Sequence, residues 1–349
     1  MQRILLIQLR QLGDILLTTP AIRAVKETYP DCHLSFLAHP MGKLVLEGNP
    51  LLDELLLYDP DSIVNELKLI SYIRSCNYDL VFDFMNNPRS ALYTFLANGK
   101  KSYSFDSKRR FAYDVTIPPS TSYEYIVREK MTLLQPAGIS TKEETPMLPV
   151  NTSDYGVANH LESIDKWRQA SLRVILSPTH RREVRQWPNV CYAELADKLE
   201  SIWGASVLWV WGPGEEDFID QVMSLCLGSG LKCPSTKFRE LAAVMDRSDL
   251  FIGNSNGPSH VAVSMGLSSL QLHGPTRATA WCPMNELHRA IQGEKPFPGS
   301  KDAMKSISVE RVWAELNSMR EALEKRAQQR KEIGGRIPCD DDVERGLTQ

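Results

Sequence analysis

The sequence predicts an α/β protein in two halves, each an open parallel sheet wrapped by helices, and three observations carry that prediction. Short, continuous apolar runs alternate with longer stretches of helical period. The same alternation restarts past the middle of the chain, and a Pro-, Asn- and Ser-containing segment separates the two series. Continuous apolar runs mark strands buried on both faces, and strand–helix alternation specifies parallel strands joined by right-handed crossovers. With 349 residues, 42% of them hydrophobic, the chain is long enough to bury two cores.

In the first series the strands are "ILLI" (4–7), "LSFLA" (34–38), "ELLLY" (54–58) and "DLVFDF" (79–84). The helices between them are "AIRAVKETY" after Pro20, "SIVNELKLISYIRS" after Asp61 and "SALYTFLA" after Pro88. In the second series "RVILSPT" (173–179), "SVLWVWG" (206–212), "DLFIGNS" (249–255) and "SSLQLHG" (268–274) are strands, separated by "YAELADKLESIW", "EDFIDQVMSLC" and "PSHVAVSMG" as helices. The segment 146–167 suits a linker. The expected domains are therefore 1–155 and 168–318, both Rossmann-like, followed by 319–349, a charged helix that ends in a polar, disordered tail. No internal repeat at a fixed period is visible.

A formal net charge of −3 gives no global field to draw the chain onto nucleic acid, so an anionic partner has to be met by a local patch. The seven cysteines are scattered without a CxxC pair, which predicts reduced thiols in the cytoplasm and no structural zinc. The first apolar run is broken by Gln8 and Arg10, so it is neither a signal peptide nor a membrane span.

Two such halves facing each other put a ligand cleft at the carboxyl ends of the strands, and the informative residues follow strands. Asp14 comes after the first strand. Arg185 and Trp187 follow the strand that ends near Pro178, "GPGEE" follows "VLWVW", "NSNGPSH" follows "LFIG", and "HGPT" ends "SSLQL". In "GNSNGPSHVAVSMG", Ser255 and Asn256 are capping types, Gly257 permits close backbone approach, and Pro258 suits the first helical position. Such a helix N-terminus holds phosphate, with His260, Gly274 and Thr276 alongside, or it is simply a well-capped turn. Glu215 either takes two ribose hydroxyls or complements a helix dipole. "HRREVRQWP" is either a solvated basic loop or the source of cations for a diphosphate, with Arg185 best placed; no D-x-D metal site is evident. A nicotinamide dehydrogenase is disfavoured, because no G-x-G-x-x-G follows the first strand.

"LGDILLTTPAIRAVKETYP", "RQWP" and "IGNSNGPSHVAVSMGLSSLQLHGPT" resemble the signature regions of the heptosyltransferase family, glycosyltransferase family 9, over about residues 3–285. The resemblance implies a GT-B fold and metal-independent, inverting transfer from ADP-heptose to the lipopolysaccharide inner core, with no cofactor. It implies Asp14 as general base, Arg185 near the donor phosphates, Glu215 as the ribose-binding acid and His260 on phosphate. It also suggests a C-terminal helix that packs back on the N-terminal domain. One departure stands out: the family usually has Asp, then Ser or Thr, before Gly-Pro-x-His, and this chain has Ser255 and Asn256. A phosphate-rich acceptor would suit Arg10, Arg89, Arg109 and Arg110, within a cationic group that also holds Lys100, Lys101 and Lys108, unless these form a solvated face. The same charges would hold the enzyme at the cytoplasmic face of an anionic inner membrane. Three readings follow: a heptosyltransferase, a GT-B transferase with another donor or acceptor, and a nucleotide-binding homologue without turnover.

Overall fold

The computed structural model describes residues 1–119, 124–228, 230–294 and 302–332. The chain divides into two compact units, Met1–Pro149 and Val150–Gln349. Unit 1 holds β1 (Arg3–Ile7), β2 (His33–Ala38), β3 (Glu54–Leu57), β4 (Leu80–Asp83), β5 (Lys101–Phe105) and β6 (Val115–Ile117) in the order β3-β2-β1-β4-β5-β6. Unit 2 holds β7 (Arg173–Ser177), β8 (Ser206–Trp209), β9 (Leu231–Lys232), β10 (Leu250–Asn254), β11 (Ser269–His273) and β12 (His288–Gln292) in the order β12-β11-β10-β7-β8-β9. All pairings are parallel. Counted from its own first strand, each sheet has the order 3-2-1-4-5-6, that of dinucleotide-binding sheets.

The central strands form where the sequence is apolar on both faces: Ile4 to Ile7 and Val174 to Leu176 are fully buried. Each sheet also starts with the same lock. The N–H of Arg3 donates to Asp79 Oδ2 and that of Arg173 to Asp249 Oδ2, both at 2.8 Å and both across 76 residues. The two units thus repeat one topology, although the sequence shows no repeat at a fixed period.

Four strands escape the expected series. β5 lies within the cationic stretch, and its buried Ser102 and Ser104 hide it. β6, β9 and β12 are short or polar at the sheet edges, where the apolar signal is weakest. Two boundaries are corrected. The expected linker, 146–167, contributes Tyr155, Ala158, Leu161 and Trp167 to the interior of unit 2, and Arg173 pairs with Glu162 there. The second unit therefore begins at Val150 rather than 168.

The C-terminal helix is Val309–Glu332, so it begins before the expected domain boundary at 319. Its Val309, Val312, Leu316, Met319, Leu323 and Ala327 lie in the core of unit 2, spaced three or four residues apart as a single helical stripe. Fully burying one large apolar side chain contributes roughly 1.5–3 kcal/mol, so this stripe decides where the helix docks. Arg330 adds a two-pronged pair to buried Asp249 (2.9 and 3.0 Å), and Arg326 donates to the Gly266 carbonyl. The apolar face of this helix completes the core of its own unit. The polar tail, with Cys339, lies outside the described residues. The six described cysteines are free thiols. No helix among the described residues is long and apolar enough to cross a membrane.

Candidate functional site

Sheets of this order bind ligands outside the carboxyl ends of their strands, at the point where the order reverses. In unit 2 that point lies between β7 and β10. The loops after β7 and β10 are stitched together there. Asn254 Oδ1 accepts from the Trp187 N–H (3.0 Å) and the Tyr192 hydroxyl (3.2 Å), and its Nδ2 donates to the Pro178 carbonyl (2.7 Å). Asn256 Nδ2 donates to the Thr179 carbonyl at 3.0 Å. Trp187 is fully buried, so the tryptophan of "RQWP" is an anchor, and it leaves Arg185 half-buried two residues earlier.

His180 fixes the same junction. Its Nδ1 accepts from the Arg182 N–H (2.9 Å), which leaves Nε2 to donate to the Ser255 carbonyl at 3.1 Å. That is the neutral tautomer, and it agrees with a ring held below the ordinary histidine range by burial and by the charge of Arg185. The Arg185 guanidinium is itself held below its ordinary range by burial and then by the charges of Arg182 and Arg181. None of these three arginines pairs with a carboxylate among the described residues. Cations crowded together without a counter-ion are relieved when an anion arrives.

The helix Gly257–Ser264 begins at the same place, with Asn256 as its cap (Oδ1 accepting from the Ser259 N–H at 3.3 Å) and Pro258 in its first turn. A Cβ on Gly257 would meet nothing within 4 Å, so this N-terminus faces open space. His260 is buried, its ring 5.9 Å from that of Trp281. His273, at the end of β11, is pushed down to about 3 by burial and then by the charges of His260 and Arg185, which places the ends of β7, β10 and β11 within electrostatic reach of one another. Ser255 is half-buried, and its hydroxyl meets no partner among the described residues.

Other expected residues are explained differently. Gly274 serves packing, because a Cβ there would lie 2.6 Å from Met304 Cγ. Thr276 is half-buried in the following turn. Glu215, after β8, turns one carboxylate oxygen back onto the Gly212 N–H at 2.9 Å, the capping alternative, which leaves its other oxygen for a ligand. Among the described residues no three His, Cys, Asp or Glu side chains gather as a metal-ligand set.

In unit 1 the order reverses between β1 and β4. Asp14 sits in the third position of the short helix Leu12–Leu16, half-buried, with Oδ2 accepting from the Gln11 N–H at 3.3 Å. Gly13 is an ordinary residue of that helix. Asp83, at the end of β4, is fully buried and accepts from Tyr113 and from the N–H groups of Met85 and Asn86. Arg109 donates to the Asn86 carbonyl, and Arg89 lies 3.7 Å from Glu66 and over the Tyr58 ring, so both carry structural duties. Arg10 and Arg110 are exposed.

Lys130 escaped the sequence reading. Its side chain is buried, its Nζ donates to Gln8 Oε1 (3.0 Å), and Gln8 in turn holds the Arg10 carbonyl. Burial pushes the ammonium down to about 8, against the attraction of Asp14 first, then Glu129 and Asp83. The signal lay in spacing: Val127, Lys130 and Leu133, three residues apart, are all buried, so a lysine occupies an apolar face.

Two sheets of one Rossmann-like order, one edged by a carboxylate and the other by unpaired cations and an open helix start, define a GT-B glycosyltransferase. The chain belongs to glycosyltransferase family 9 (heptosyltransferase), whose family model matches residues 66–307. That range includes all four loops of the unit 2 site and leaves Asp14 outside it. The chain is 27% identical over 295 residues to lipopolysaccharide heptosyltransferase 3 of Escherichia coli (strain K12), covering 80% of this chain and 84% of that protein. Its fold matches the crystal structure of a family 9 glycosyl transferase from Veillonella parvula DSM 2008 with a TM-score of 0.80, at 20% identity over 93% and 97% of the two chains. It also matches Escherichia coli heptosyltransferase WaaC with ADP-2-deoxy-2-fluoro heptose, with a TM-score of 0.68 at 16% identity over 91% and 99%.

Proposed function

We propose that this glycosyltransferase moves a heptose from ADP-heptose to the lipopolysaccharide inner core, with inversion and without a metal ion. The observation that carries the proposal is the crowding of Arg185, Arg181 and Arg182, without carboxylate partners, beside the open N-terminus of the helix Gly257–Ser264. That arrangement suits a diphosphate. The printed names of the relatives supply the sugar and the acceptor: one is a lipopolysaccharide heptosyltransferase, and another was solved with an ADP-heptose analogue.

In this reading unit 2 holds the donor. Arg185 and the N–H groups after Gly257 take the diphosphate, Ser255, Asn256 and Thr276 line it, and the second oxygen of Glu215 takes a ribose hydroxyl. His260, in the same helix, contacts the phosphate. The acceptor hydroxyl attacks the anomeric carbon from the face opposite the leaving group, and the bond from that carbon to the diphosphate oxygen breaks. The released charge stays on ADP, where the cations stabilise it. Asp14 takes the hydroxyl proton. Arg10 and Arg110 meet the anionic acceptor, with Arg89 and Arg109 behind them. Such an acceptor is carried on lipid, so the enzyme works in peripheral contact with the cytoplasmic face of the inner membrane.

One observation favours a second reading, a different nucleotide sugar: Ser255 supplies no negative charge where relatives by resemblance carry Asp. Mass spectrometry of core oligosaccharide from a strain lacking this protein separates the two. The expected core is one heptose lighter, and purified enzyme with ADP-heptose restores it. An unchanged core, or a deficit of another sugar, overturns the proposal.

A further inference from the structure

Burying a lysine is costly, and the packing of unit 1 does not require one at position 130. Lys130 lies on the helix Ile126–Thr132, buried like its neighbours Val127 and Leu133, with its ammonium 5.7 Å from the centre of the Phe84 ring. A methionine would occupy such a site without the desolvation penalty. The direct partner of the ammonium is not a carboxylate but the neutral amide of Gln8, at 3.0 Å. The charges that reach it are Asp14 from the helix Leu12–Leu16, Glu129 from its own helix and Asp83 from the end of β4. Of these, Asp83 is already taken up by Tyr113 and by the N–H groups of Met85 and Asn86.

What the lysine controls is the orientation of an amide. Gln8 is buried at the carboxyl end of β1, where its own N–H donates to the Leu37 carbonyl at 3.1 Å. The two ends of its side chain are of opposite kind, Oε1 accepting and Nε2 donating, whereas an ammonium has three donors and no acceptor. Lys130 therefore selects one of the two ways round: Oε1 faces the ammonium, and Nε2 faces the Arg10 carbonyl, which it meets at 2.6 Å. A neutral amine has an acceptor as well, so loss of the proton would satisfy either orientation. The segment that leads to Asp14 depends on that choice. The Leu9 carbonyl accepts from the His39 N–H and the Gln11 carbonyl from the Ile15 N–H, both at 2.9 Å, and between them the carbonyl of exposed Arg10 is held by Gln8. Gln11, the next residue, gives its N–H to Asp14.

We propose that Lys130 is a positioning residue for the transfer step: its ammonium orients the Gln8 amide, the amide holds the Arg10 carbonyl, and the segment so held sets the carboxylate of Asp14 at the edge of unit 1. The inference rests on the reading of Asp14 as the proton acceptor. Because burial pushes the ammonium down to about 8, the hold is present at neutral pH and is lost as the pH rises through that value.

The test is turnover with ADP-heptose and lipopolysaccharide from the strain lacking this protein, measured for the parent, Lys130→Met, Gln8→Met, the double variant and Asp14→Asn, each checked for melting and ADP affinity. Lys130→Met and Gln8→Met should each lower kcat by about ten-fold or more, as a small misplacement of a reacting group does, with ADP affinity unchanged. The double variant should lose no more than the slower single one, because both changes break the same chain of bonds. The kcat of the parent should fall as the pH rises past about 8, and that fall should be absent from Lys130→Met. A lysine that only fills space would leave kcat and its pH profile unmoved. That result, additive losses, or an alkaline fall that persists in Lys130→Met overturns the proposal, and if Lys130→Met does not fold, Gln8→Met with an undiminished kcat overturns it equally. A parent that transfers no heptose, or an Asp14→Asn protein as fast as the parent, overturns the reading beneath the proposal and the proposal with it. A slow Asp14→Asn beside Lys130→Met and Gln8→Met at the parent's rate removes only the role of Lys130.

Discussion

In unit 1 the sheet starts where the Arg3 N–H meets Asp79, and in unit 2 Arg173 meets Asp249 in the same way. The strand order that follows is the same. At the opposite ends of those strands the likeness stops. The reversal point of unit 1 gathers a carboxylate, Asp14, near a buried lysine, with a second carboxylate, Asp83, sealed by hydrogen bonds. The reversal point of unit 2 gathers arginines without counter-ions and a neutral histidine that fastens two loops together. In the reading proposed above, one topology serves a proton acceptor in one unit and an anion holder in the other. The difference lies wholly in a few loop residues, which is why the fold alone does not give the chemistry.

The sharpest way to break this comparison is to remove the charge of Asp14 and leave its shape. Asp14 is the third residue of its helix, where an Asn Oδ1 can accept from the Gln11 N–H as the carboxylate does, and that bond is long, at 3.3 Å. Asp14→Asn should therefore melt almost as the parent does and bind ADP normally, while turnover falls by roughly 10²-fold or more, as for a lost general base. Turnover within a few-fold of the parent, measured where chemistry limits the rate, would remove Asp14 from its proposed role.

A smaller effect should be seen at Lys130, the cation on the carboxylate side. Its folded-state pKa, about 8, lies below the unfolded value of 10.5, so between those values the unfolded chain binds the extra proton. Stability from this group must then rise with pH across that window, by at most about 1.4 kcal/mol per pH unit. Lys130→Met has no such slope. The parent should gain on the variant in denaturant midpoint between neutral and strongly alkaline pH, and a constant difference would show that the ammonium is not held in a dry site.

Much of this arrangement was legible in the sequence, and the reasons are local. The β1, β2, β4, β7, β8, β10 and β11 runs are apolar on both faces, so their burial could be foreseen. The polar clusters that follow them were recognisable as site loops because parallel strands end on one edge. The edge strands β6, β9 and β12 carry too few apolar residues to show, and β5 hides behind Ser102 and Ser104. What the sequence could not distinguish was duty. Trp187, Gly274 and Arg109 look like ligand-facing residues, and they proved to be an anchor, a packing glycine and a clamp on the Asn86 carbonyl, because those partners come from distant segments. The place of the C-terminal helix was hidden for the same reason: only the fold shows Asp249 waiting for Arg330.

The central claim is that unit 2 holds a diphosphate with protein cations and a helix start alone. Calorimetric titration of ADP into the parent protein and Arg185→Ala, both in EDTA, tests it most directly. The account predicts clear ADP affinity without divalent metal, and a loss of about 1–3 kcal/mol in the variant, the worth of a charge-assisted hydrogen bond. No affinity in EDTA, restored by magnesium, or an Arg185→Ala protein that binds as tightly as the parent, would contradict it.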